Sequence, residues 1–185
     1  PLKFTADIHE VTYTRVAGNG FEENDEVGVF ALVGSSTMKE ERYADNLRFF
    51  RTSEKVFESS EPIYYPDDEV TLCLISYYPY QEEGVNMGES TMSVAVETDQ
   101  NLSAGYFCSD FLVASQNLQS APKGAIALHY DHKFFKLKIA LVGKEGEELQ
   151  GILDADPKLS VCGFYTKAIY DFQKETYSAF SNEKS

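Results

Sequence analysis

The feature that most constrains this chain is a hydrophobic period of two. Leu2, Phe4, Ala6 and Ile8 alternate with Lys3, Thr5, Asp7 and His9. Side chains alternate between faces in this way only along extended backbone. The pattern predicts a half-buried first strand that runs on toward Tyr13. The same period predicts strands over Val27–Val33, Thr91–Val96, Ala125–Tyr130, Phe134–Val142 and Leu159–Thr166, and a short pair from Asn46–Arg51 and Lys55–Glu58. Val70–Tyr78 is continuously apolar, as expected of a central strand covered on both faces. Ser109-Asp110 ahead of Phe111-Leu112-Val113-Ala114 has the form of a capped helical turn.

Turn chemistry separates these runs. Gly18-Asn19-Gly20 follows Arg15, and Glu22-Glu23-Asn24-Asp25-Glu26 leads into the second strand. Pro62 and Pro66 bracket an edge-like segment, and Pro79 ends the central one. Nine or ten short strands with little helix predict an all-β chain, an antiparallel β-sandwich of seven or more strands. Its expected core contains Phe4, Val29, Leu72, Leu74, Leu128, Leu137, Ile139 and Val161. Residues 1–172 are expected to form one domain. Residues 173–185 turn polar and are expected to be a tail or linker toward a second one.

Aromatic usage agrees with strands, with 12 Tyr and 13 Phe but no Trp. Charge bears on partners. The formal net charge of -14 opposes binding to phosphate backbones and to anionic membrane surfaces. No run of about 20 apolar residues suggests a spanning helix. Cys73, Cys108 and Cys162 are too widely spaced for a metal or redox motif. Cys73 and Cys162 lie in apolar runs and are expected to be buried free thiols.

No catalytic, cofactor-binding or metal constellation is expected. His9, His129 and His132 fit no zinc spacing, and there is no nucleophile elbow or phosphate-binding glycine loop. The acids Asp67, Asp68, Glu69, Asp154 and Asp156 sit where turns are expected and read as solvated. Tyr78 and Tyr80 are the residues to test for sugar stacking, since tyrosine offers an apolar face and a polar tip. A surface carbohydrate-binding module is the alternative they suggest.

Four stretches, in order, resemble the fimbrillin-like family of Bacteroides-type bacteria. Thr14-Arg15, Phe21 and Asn24-Asp25-Glu26-Val27-Gly28-Val29-Phe30 form the first, with Asn24 where the family usually has Gly. Asn46-Leu47-Arg48-Phe49, Pro62-Ile63-Tyr64-Tyr65-Pro66 and Tyr77-Tyr78-Pro79-Tyr80 form the second. Ser109 to Ala114 is the third, and Leu128 to Leu141 with His132 and Lys136 the fourth. The resemblance implies a transthyretin-like sandwich, and export as a lipoprotein to the outer membrane. It implies a structural or adhesive role in a surface fimbria, as a stalk, tip or anchor subunit, whose expected partners are other pilus subunits and a host glycan or protein. It also implies assembly by strand exchange after a protease cuts behind a basic residue near the N-terminus. Here that residue is Arg15, and the exchangeable strand carries Phe4, Ala6, Ile8 and Val11.

Overall fold

The computed structural model describes residues 1–9, 20–66, 70–97, 99–100, 103–137, 139, 142, 149–154 and 162–181. Ten strands and two short helices occur among them: β1 (Phe4–Ile8), β2 (Glu26–Val33), β3 (Ala44–Arg51), β4 (Phe57–Glu58), β5 (Leu72–Tyr78), β6 (Thr91–Ala95), α1 (Ser103–Cys108), β7 (Leu112–Leu118), β8 (Ile126–His132), α2 (Leu149–Asp154), β9 (Lys167–Asp171) and β10 (Thr176–Ser181). The chain is all-β. Seven strands close into a barrel in the order β1-β4-β3-β2-β5-β7-β8, and a three-stranded sheet, β10-β9-β6, packs against it.

Two apolar clusters follow from that layering. Val27, Val29, Leu72, Leu74, Leu112 and Leu128 fill the barrel. Phe30, Ile75, Tyr77, Val94, Phe111 and Tyr170 lie between the barrel's outer face and the small sheet. β5 therefore contributes to both clusters, which is why its sequence shows no alternation. Gly28 marks a close approach in the outer layer. A Cβ there would sit 2.2 Å from the Tyr77 ring, whose hydroxyl donates to Asn46 Oδ1 at 2.7 Å.

Of the expected core, Phe4, Val29, Leu72, Leu74 and Leu128 are buried, and Val161 lies outside the described residues. Leu137 and Ile139 are exposed. The described residues among 134–142 are not a strand. An alternating sequence supplies side-chain faces but not a hydrogen-bonding neighbour, and no described strand pairs with this segment in a backbone ladder. The described residues of the expected strand 159–166 are not one; β9 begins only at Lys167, and Cys162 is exposed rather than buried. Cys73 is half-buried, and its thiol is pushed up by burial.

Three further expectations change. The pairing is not wholly antiparallel, because β1 runs parallel to β8. The helix lies before Ser109, not after it. The Ser109 hydroxyl donates back to Gly105 O at 2.8 Å, closing α1, and Phe111–Ala114 enters β7 with every side chain buried. A run of four apolar residues fits either structure by pattern alone. Finally, residues 176–181 are a strand rather than a polar tail. Thr176 pairs with Asp171 across the turn, and the Tyr177 hydroxyl donates to Lys133 O at 2.6 Å.

Candidate functional site

The barrel closes at β1. Its long pairing is parallel to β8, with Phe4 to Ile8 opposite Ile126 to Tyr130. On its other side it meets β4 at one position, Phe4 opposite Phe57. β8 in turn shares only two register positions with β7, Leu112–His132 and Val113–Asp131. β1 is thus the main neighbour of β8. Beyond the ladder, Leu2 N donates to Ile63 O at 2.7 Å, Ile126 N to Lys3 O at 2.8 Å, and His9 N to Tyr130 O at 2.9 Å. Lys3 also pairs with Glu58.

The inner face of β1 is inserted into the barrel core. Leu2, Phe4 and Ile8 are buried and Ala6 is half-buried. The Phe4 ring tilts against Phe49 at 4.7 Å. Without β1, the apolar side chains of Ile126, Leu128, Tyr130 and Phe57 lose their cover, and one edge of β8 loses its partner. An open edge above uncovered apolar side chains is the kind of surface to which an added strand can pair. Val11 and Arg15, the other residues expected at this site, lie outside the described residues. Beyond them Phe21 returns to the barrel, packing edge-on against Phe57, Tyr78 and Tyr130 at 5.0–5.4 Å.

The tyrosines considered for sugar stacking do not share a surface. Tyr78 is buried in the barrel, and its hydroxyl donates to Asp25 Oδ1 at 3.4 Å. Burial, then the charge of Asp25, pushes its phenol well above the usual range. Burial likewise raises the Asp25 carboxyl. Tyr80 is half-buried beneath the Arg48 guanidinium, which lies 5.8 Å from its ring centre. A different aromatic surface lies beside β10, built from two segments expected to be strands (134–142 and 159–166) and from the segment expected to be a polar tail (173–185). A cavity of about 530 Å³ there is lined by Phe134, Phe135, Phe164, Tyr165, Tyr177 and Phe180, among others.

His132 is a packed residue. Its Nδ1 lies 2.8 Å from Asp110 Oδ1, with both side chains nearly or fully buried, and the pair ties the start of β7 to the end of β8. Among the described residues, no group of three or more His, Cys, Asp or Glu could hold a metal ion. No helix among them is long and apolar enough to cross a membrane.

Comparison with known proteins gives a consistent result. The fimbrillin-like family model matches residues 14–185. A solved structure from Bacteroides uniformis, described as a cell adhesion protein, superposes with a TM-score of 0.60 at 19% identity. It covers 100% of this chain and 67% of its own. A second, from Bacteroides ovatus and also described as a cell adhesion protein, has a TM-score of 0.50 at 18% identity over 72% of this chain and 52% of its own. The chain thus spans about half the length of one and two thirds of the other. At these identities the likeness is one of fold. No curated protein matches.

Proposed function

The chain belongs to the fimbrillin-like family, and on that premise we propose that it is a non-catalytic structural or adhesive subunit of a bacterial surface fimbria, assembled by strand exchange at the β1 seam. It would be exported to the outer membrane, through a lipid-anchored precursor, and would join other pilus subunits. The observation that carries the mechanism is the position of β1. One strand closes the barrel, its apolar face fills the core, and its long ladder is to β8 alone. A partner's strand entering that gap regains the main-chain bonds, and its alternate side chains set the register. Arg15 is the proposed cleavage point that frees β1.

The test is limited trypsin digestion of the folded protein, followed by mass spectrometry and by offering the cut protein a labelled peptide of residues 1–9. Cleavage at Arg15 with uptake of the peptide supports the reading. Survival of Arg15 while other basic sites are cut, or a cut protein that takes up no peptide, overturns it. The carbohydrate-binding alternative loses its motive at Tyr78, which is buried. A glycan array with Tyr80→Ala as control separates the two roles.

A further inference from the structure

The outer face of the same seam carries a charge cluster that strand exchange does not require. Asp7 and His9 on the β1 side face His129 and Asp131 on β8. His9 Nδ1 lies 2.8 Å from Asp131 Oδ1, and His129 Nδ1 lies 4.0 Å from Asp7 Oδ2. The two imidazoles stack between these carboxylates, their ring centres 5.7 Å apart and their planes 15° from parallel. Both contacts cross from one strand to the other. Two of the chain's three histidines are thus on the one parallel seam of the barrel.

We propose that this cluster is a proton-operated fastening of β1. The inference rests on the reading that β1 is the strand that leaves. Imidazole is the side chain that changes charge between about pH 5 and 8, whereas aspartate stays ionised across that range. With both rings protonated, each cation has a carboxylate on the opposite strand, and the four groups sum to zero charge. With both neutral, two carboxylates remain on one face of a protein that already carries a net charge of -14. Repulsion between the two imidazolium rings opposes the fastening. It acts over 5.7 Å, against attractions at 2.8 and 4.0 Å, and Coulomb energy falls with distance.

The surroundings leave this balance in place. Lys133 Nζ approaches Asp131 Oδ2 at 3.8 Å and offsets part of that carboxylate's charge whatever the state of the imidazoles, so the Asp7–His129 contact and the shorter His9–Asp131 contact still gain from protonation. On the other flank of β1, Lys3 pairs with Glu58 of β4. On the other flank of β8, β7 places Val113 beside Asp131. Acidification therefore tightens β1 onto β8, and neutral to alkaline conditions loosen it.

The experiment is hydrogen exchange of the whole chain at about pH 5.5 and about pH 8, corrected for intrinsic exchange rates and run at one low ionic strength. Opening of the segment spanning β1 should be about three- to tenfold more frequent at the higher pH, as befits two exposed ion pairs. Exchange in β5 should not follow. In His9→Gln/His129→Gln the β1 dependence should flatten, with circular dichroism confirming that the fold is retained. A flat wild-type profile, or a double variant that keeps the full dependence, overturns the proposal. If opening follows pH as stated but the trypsin-cut protein takes up no strand peptide, the fastening stands and the exchange reading falls.

Discussion

If β1 closes a barrel that survives without it, substitutions on its inner face should saturate instead of adding. Phe4 is fully buried against Phe49, and Ile8 is buried four residues further along the strand. Truncating a buried Phe to Ala costs about 3–5 kcal/mol, and truncating a buried Ile about 2–5 kcal/mol. The two sites are about 13 Å apart along an extended strand, far enough that independent losses should add. Their sum, about 5–10 kcal/mol, is comparable with the whole stability of a domain. When β1 can leave alone, however, the loss is capped at the free energy of opening the seam, because past that point the open barrel is the ground state. Urea unfolding of Phe4→Ala, Ile8→Ala and the double variant decides the matter. The double variant should lose clearly less than the sum. Its m-value should also fall, since less surface remains to be exposed. Strict additivity with an unchanged m-value would show that β1 unfolds only with the rest, and would refute its role as a separable strand.

Three other substitutions probe the scaffold. Leu74→Ala, in the centre of the barrel core, should cost about 2–5 kcal/mol in urea unfolding and should add to a β1 substitution in full. Arg42→Ala should cost about 1–3 kcal/mol, the range for leaving buried carbonyls without their donor, since its ion-pair partner Asp45 is exposed. The Arg42 guanidinium donates to the carbonyls of Met38, Val85, Asn86 and Glu89 at 2.7–2.9 Å and pairs with Asp45. A loss below about 1 kcal/mol would mean that water satisfies those carbonyls. Burial raises the Asp171 carboxyl, but hydrogen bonds from Ser90 and from the amides of Lys174 and Gln173 outweigh it and hold it below the usual range. Stability from this group is therefore present above the unfolded carboxylate range and is lost as pH falls through the lowered folded value. In Asp171→Asn, that part of the acid loss should disappear from a thermal-melting series.

Much of the fold was legible because backbone demands showed in single residues. Asn24 stands where the family usually has Gly. Its φ of 71° is a left-handed conformation that asparagine tolerates better than most residues. Gly28 keeps its place because the Tyr77 ring occupies the space of a Cβ. The failures share one cause. The sequence of Phe111–Ala114 suits a helical turn and that of Phe134–Val142 a strand, and the outcome in each rests on which neighbour the segment finds. The first three residues of β7 are all buried and show no period, while Leu137 sits in an alternating run and stays exposed.

The same distinction applies to the seam. The inner face of β1 could be read from Phe4, Ala6 and Ile8 because burial selects apolar residues at alternate positions, and that selection is local. The outer face could not. Asp7 and His9 are ordinary polar members of an exposed alternation, and so are His129 and Asp131, more than a hundred positions away. Their meeting depends on β1 lying parallel to β8 with Asp7 opposite His129. An antiparallel partner in the hairpin sense would have placed other residues beside them. Alternation specifies which face of a strand is wet, and register alone specifies which wet side chains touch. Any property that depends on two polar residues meeting across a seam, including its response to protons, is therefore fixed by the topology of strand pairing and is absent from the period.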